Sequence, residues 1–190
     1  MAFTIRRGLA ALAVLAGLLS CNPADTRAAE KTTDMRITST AFTDGQPIPM
    51  AYTCQGNDRS PPLAFADVPA GAKSLALVVD DPDAPDPAAP KVVWVHWVLA
   101  NLPATAGGLP GAVAPKELPR GTVQGQNDWK RLGYGGPCPP IGRHRYFFKL
   151  YALDAALGVS EGVSKTELER VMEGHVLAQA TLIGTYTKGK

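Results

Sequence analysis

Histidine and cysteine are scarce in this chain, three of each in 190 residues, and no two of them stand at the spacing of a metal site on one helix or one knuckle. Charge of one sign is equally lacking. Lys and Arg number 19 against 17 Asp and Glu, and Arg6 and Arg7 account for the difference, so acidic and basic side chains balance from Cys21 onward. Without a basic block, the chain has no footprint for nucleic acid, which needs clustered cations to displace counterions. There is no internal repeat. The apolar run over residues 8–20 is too short to span a bilayer comfortably and follows Arg6-Arg7, so residues 1–20 read as the signal peptide of an exported protein.

The end of that leader admits two readings. Leu18-Leu19-Ser20-Cys21 resembles the bacterial lipobox, which makes Cys21 the lipidated first residue of a membrane-anchored lipoprotein; the alternative is a cut after Ala28, with small residues at Thr26 and Ala28. Both place the protein outside the cytoplasm, in the periplasm or on a membrane of a bacterium, touching membrane only through the anchor. Residues 21–34 are then a flexible tether and 35–190 one domain. Cys54 and Cys138 are left in an oxidising compartment, where a disulfide closing about 85 residues is permitted. Two buried free thiols are the alternative.

Proline and glycine are plentiful, 17 and 19, and they separate short apolar runs. Residues 35–42, 75–79, 92–99, 146–153 and 181–187 are rich in β-branched and aromatic types and are predicted strands of a mainly β sandwich. Residues 92–99 are apolar on both faces, as in a central strand. Ser164 and Glu167 form a capping-box pattern before Leu168, Val171, Met172 and Val176, which predicts one helix that Gly174 bends or ends. Residues 101–143 are long and aperiodic, yet Trp129, Tyr134 and Cys138-Pro139-Pro140 mark them as an ordered, functional loop.

The candidate chemistry sits at the ends of these runs. Period two puts Trp94, His96 and Val98 on one face of a strand, and His144 and Tyr146 on one face of another. A lone His on an apolar strand is usually a hydrogen-bonded core residue. Tyr134-Gly135-Gly136-Pro137 and Gly142 permit close backbone approach and a nest of N–H groups around an anion; chain reversal alone is the plainer reading. Asp81 and Asp83 flank Pro82 as turn residues do, or Asp81 holds an imidazole N–H and fixes its tautomer.

The ordered set Asp81-Pro82-Asp83-Ala84-Pro85, Trp94-Val95-His96-Trp97, the Gly-Tyr-Gly-Gly-Pro-Cys-Pro-Pro string at 133–140, His144-Arg145-Tyr146 and the closing Gly174-His175-Val176-Leu177 with Gly184-Thr185-Tyr186 resembles the phosphatidylethanolamine-binding protein family, in its bacterial Raf-kinase-inhibitor-like branch, over residues 35–187. The resemblance implies a two-sheet antiparallel β-sandwich with a short C-terminal helical segment. It also implies a pocket for phosphate, another small anion or a phospholipid headgroup. Asp81, His96, His144 and Tyr146 would line that pocket, with Asp83 nearby and Gly135, Gly136 and Pro137 closing one side. Charge-assisted hydrogen bonds from His96 and His144 would hold the anion, with affinity falling above about pH 7. The expectation is a binding protein without catalysis, cofactor or metal. Kinase inhibition and lipid specificity are not implied, because the C-terminal segment does not align with that of the animal members.

Three rivals are weighed against this. Two His and two Asp could ligate a metal, but lack ligand spacing. Gly158-Val159-Ser160-Glu161-Gly162 matches a hydrolase nucleophile string without its strand–turn–helix setting, and Glu167 and His175 have little freedom to reach Ser160. Residues 86–90 and 101–137 could present a surface to a protein partner, such as a kinase or protease that the protein inhibits.

Overall fold

Alternation along the strands builds two facing antiparallel sheets in the computed structural model, which describes Met1 and residues 34–189. Cys21, the signal peptide after Met1 and all but the last tether residue lie outside the described residues. In chain order the strands are β1 (Arg36–Thr38), β2 (Leu63–Ala66), β3 (Ser74–Ala84), β4 (Val92–Pro103), β5 (Gly108–Leu109), β6 (Val123–Gln124), β7 (Arg143–Leu153) and β8 (Val176–Thr187), with α1 (Lys165–Met172) between β7 and β8. The small sheet runs β1-β2-β5 and the large one β6-β4-β3-β7-β8.

Strand β3 is the centre of the large sheet and is buried on both faces. Leu75, Leu77 and Val79 pack with Phe148 and Leu150 against Ile37, Leu63 and Phe65 of the small sheet. Ala76 and Val78 face the other way, under Val98, Leu168 and Met172. Each fully buried Leu or Phe contributes about 1.5–3 kcal/mol, so the sandwich interior is the main stabilising term. Residues 95–99 of β4 are covered on both faces, as expected, although the middle place in the sheet belongs to β3. Strand β4 has only the two-residue β6 on its outer side, and Val92 and Val93 at its start are exposed.

The Asp-Pro-Asp string is strand rather than turn. Pro82 has no N–H to give a ladder, and β3 accommodates it because pairing with β7 stops at Asp80 while pairing with β4 slips between Asp81 and Ala84. The peptide bond that follows, Ala84–Pro85, is cis.

Helix α1 starts where the capping pattern puts it, the Ser164 hydroxyl accepting from the Glu167 N–H at 3.1 Å. It stops at Met172, and Gly174 takes the left-handed φ of +79° that ends helices. Val176 is thus the first residue of β8 and not a helical position, and the strand expected over 181–187 begins five residues earlier and runs for twelve residues. Lys165 and Lys149 both donate to Oδ2 of the fully buried Asp80, at 2.6 and 2.8 Å, which ties the helix to the sheet.

Candidate functional site

A β-bulge sets up the site. Val79 pairs with Trp97 while Asp80 pairs with Val95, leaving His96 as an extra residue on β4. The bulge breaks the expected period. Val95 and Val98 both pack on the helix side, whereas His96 and Trp97 both meet aromatics of the opposite side: His96 stands edge-on to Tyr146 at 5.1 Å, and Trp97 to Tyr134 at 5.7 Å. Trp94 and His96 share a cavity, as expected, but Val98 does not lie on their face.

That cavity encloses about 300 Å³, with Asp81, His96 and His144 as its ionisable lining and Trp94, Trp129 and the Cys138-Pro139-Pro140 run as walls. His96 is buried. Its Nδ1 lies 2.6 Å from the Gly135 carbonyl, and the Gly135 N–H returns a 2.9 Å bond to the His96 carbonyl. Nδ1 therefore carries the proton. Burial pushes the His96 pKa below its ordinary value, so the neutral ring prevails and Nε2 holds a lone pair. Nε2 has no protein partner among the described residues.

His144 is placed differently from expectation. Its Nδ1 lies 2.7 Å from Asp81 Oδ2 and its Nε2 3.0 Å from the Ile141 carbonyl, so both nitrogens already face protein acceptors and neither is open to an anion. Asp81 does orient this imidazole, and its other oxygen accepts the Asp83 N–H at 2.8 Å.

Asp83 does not line the cavity. Its carboxylate is clamped by Arg145 through Nε at 2.9 Å and Nη2 at 2.8 Å, and by the Arg145 N–H. The guanidinium holds its pKa below the usual carboxylate range. The expected nest at Gly135 and Gly136 does not form either: the first N–H goes to His96 and the second to Asp58 Oδ1 at 2.6 Å. Pro137 has no N–H, and its carbonyl accepts from Cys54. These three residues stand behind the cavity and shape it. A Cβ on Gly135 would come within 2.5 Å of the Trp129 indole, so glycine is required there by close packing.

Tyr146 lies beside the cavity, its ring against His96 and its hydroxyl buried without a partner. Burial raises its pKa, which keeps the phenol a proton donor. Trp94 Nε1 is likewise buried and unpartnered. Trp94, Trp129, Pro139 and Pro140 were not singled out as site residues from sequence. Their signal was proximity to the quoted motifs: Trp94 two residues before His96, and the prolines beside Cys138. Cys54 and Cys138 form a disulfide with Cα atoms 5.4 Å apart, which anchors the proline wall. Ser160 is exposed in the loop before α1, and His175 pairs with Asp154 at 2.8 Å rather than with it.

Comparison with known proteins agrees with this fold and with the family that the motifs resemble. The family model for phosphatidylethanolamine-binding protein matches residues 38–187. The UPF0098 protein of Methanothermobacter thermautotrophicus is 52% identical over 156 residues, 82% of this chain and 100% of that one. The UPF0098 protein of Chlamydia trachomatis is 47% identical over 154 residues, 81% of this chain and 99% of its own. Among solved structures, the phosphatidylethanolamine-binding protein homologue CT736 of Chlamydia trachomatis superposes with a TM-score of 0.76 at 45% identity, covering 83% of this chain and 99% of that one. YbcL of E. coli, described as a new member of the mammalian PEBP family, gives 0.74 at 32% identity, covering 82% and 99%. By motif order, fold and family match together, the chain belongs to the phosphatidylethanolamine-binding protein family.

Proposed function

We propose that this protein binds a small anion or phosphorylated headgroup in the His96 cavity and performs no chemistry on it. The observation that carries the reading is a set of buried polar groups in and beside one cavity with no protein partner, Trp94 Nε1 and the Tyr146 hydroxyl as donors beside His96 Nε2. A buried donor left unpaired is costly, and an anion's oxygens are the natural acceptors.

The state of His96 adds a proton to the event. A lone pair on Nε2 repels an anion's oxygen, so the ring takes up a proton or the ligand brings one as P–OH. Either way affinity falls as pH rises. The His96 pKa is lowered in the free protein, so the fall begins at more acid pH than an unperturbed imidazole near 6.5 would give. Calorimetric titration with phosphoethanolamine, in buffers of different ionisation heat at pH 5.5 and 8, checks this. The expected result is saturable binding, tighter at the acid pH, with net proton uptake that His96→Gln loses. The variant retains the ligand's own titration and serves as baseline. A pH-independent affinity retires the proton-coupled mechanism; no heat at either pH retires the anion site.

A protein partner presenting a phosphorylated side chain is the second reading. It is favoured by exposed Ile141, beside the proline wall, and by Trp129, 38% exposed while lining the cavity. A phosphoserine peptide in the same titration separates the two by binding more tightly than phosphoethanolamine.

Export with lipidation at Cys21 forms part of the proposal. It rests on the leader and is supported by the Cys54–Cys138 disulfide, which an oxidising compartment permits. Metabolic labelling with alkyne-palmitate in bacterial cells is expected to mark the protein and to miss Cys21→Ala. An unlabelled wild type removes the anchor.

A further inference from the structure

The bulge that puts His96 into the first cavity puts Trp97 into a second, of about 270 Å³. Segments distant in sequence build it: Arg59, Trp97, Gln124 and the turn at Leu132-Gly133-Tyr134, with Val113 and Leu118 as apolar wall. The family motifs contribute to this cavity only Trp97, Gly133 and Tyr134.

Its donors are unpaired. Trp97 is 2% exposed and its Nε1 has no acceptor. Gln124 is 8% exposed, and its side-chain amide has no protein partner among the described residues. Arg59 is exposed and, among the described residues, makes no ion pair or side-chain hydrogen bond, in contrast to Arg131, which pairs with Asp58 at 3.2 Å. Asp58 also lines the cavity, but its two oxygens are engaged by Arg131 and by the Gly136 N–H. The unpaired charge at the cavity is therefore positive, and Gln124 offers an unpaired N–H beside its unpaired Oε1, set against aliphatic side chains.

We propose that this second cavity binds a carboxylate carried on an apolar body, either a free acid or the C-terminus of a chain ending in an aliphatic residue. The guanidinium of Arg59 matches a planar carboxylate in a two-pronged fashion. The Gln124 side-chain N–H supplies a further donor, and the buried Trp97 ring forms part of the wall, where its indole N–H reports on the bound state. Val113, Leu118 and Leu132 take the aliphatic part. A bare divalent cation is disfavoured by Arg59, and a bare phosphate leaves the apolar wall uncovered.

The indole N–H resonances of the chain's three tryptophans provide the readout. Trp97→Phe assigns the Trp97 signal in the ¹⁵N-labelled protein, which is then titrated with N-acetyl-leucine, N-acetyl-leucinamide and a pentapeptide ending in leucine. N-acetyl-leucine or the free-ended peptide is expected to shift the Trp97 signal to saturation, and the neutral amide is expected to leave it in place. Whichever of the two binds more tightly identifies the source. Arg59→Ala, at an exposed unpaired position, is expected to weaken binding about tenfold or more, as loss of a charged hydrogen bond does. Gln124→Leu is expected to weaken it as well, and thermal melting reports whether each variant stays folded. The inference is overturned if the Trp97 signal stays still with both acids, if the amide binds equally, or if both folded variants bind like wild type.

Discussion

Asp81→Ala is expected to lower stability by about 3 kcal/mol or more, the penalty for breaking a buried pair by removing one partner. The side chains of Asp81 and His144 are 5% and 0% exposed, so only a water entering from the adjoining cavity can stand in for the lost carboxylate. Its removal strands two donors at once: His144 Nδ1, 2.7 Å from one oxygen, and the Asp83 N–H, 2.8 Å from the other. Asp81→Asn keeps one acceptor oxygen and a similar volume, and its loss is expected near 1–2 kcal/mol, that of a charged hydrogen bond made neutral. Urea unfolding of the three proteins measures both, with an unchanged slope confirming that the difference lies in the folded state. An alanine variant within 1 kcal/mol of wild type would show that the pair contributes nothing net. Phosphate binding is expected to weaken in the alanine variant, because Asp81 and His144 both line the cavity and losing their pair reshapes its wall.

Replacing both Cys54 and Cys138 by alanine is expected to cost between 2 and 5 kcal/mol. The link joins residues 84 apart in sequence, and the chain-entropy account gives about 4–5 kcal/mol for so long a loop. A consequence for the site follows, because Cys138 itself lines the cavity with Pro139 and Pro140. The same wall is also held by Gly136 on Asp58 and by the Tyr134 hydroxyl on the Tyr52 carbonyl at 3.0 Å, so the fold survives near room temperature. Guanidinium unfolding of the oxidised, the dithiothreitol-treated and the doubly substituted protein separates the bond from the side chains. Equal midpoints for all three would dismiss the disulfide as a stabilising element. If stability falls and phosphoethanolamine affinity falls with it, the crosslink also orders the wall.

Some of this was legible residue by residue. His144 and Tyr146 share a buried face because side chains alternate along any strand. Ser164 caps α1 because its hydroxyl reaches an N–H three residues on, whatever surrounds it. The helix end was misread at Val176: a left-handed glycine at 174 redirects the chain, and an apolar residue fits the next strand as well as a last helical turn. Asp83 looked like a ligand for want of any sign that Arg145, 62 positions away, would take both its oxygens.

By itself the sequence determined the longer strands, the helix start, the order of the motifs and hence the family, since each depends on backbone geometry over a few residues or on residue identity; the short strands β2, β5 and β6 carry no such signal and are defined by their pairing. Only the tertiary structure decided which polar groups are occupied and which are open. His96 acquired its free Nε2 through a bulge defined by strand pairing, and the Gly135 and Gly136 N–H groups were taken by His96 and Asp58. Arg59, Trp97 and Gln124 came together from three separate segments. A hydrogen-bond partner reaches across only about 3 Å, so its identity is settled by which distant segments pack together, and that is a property of the folded chain.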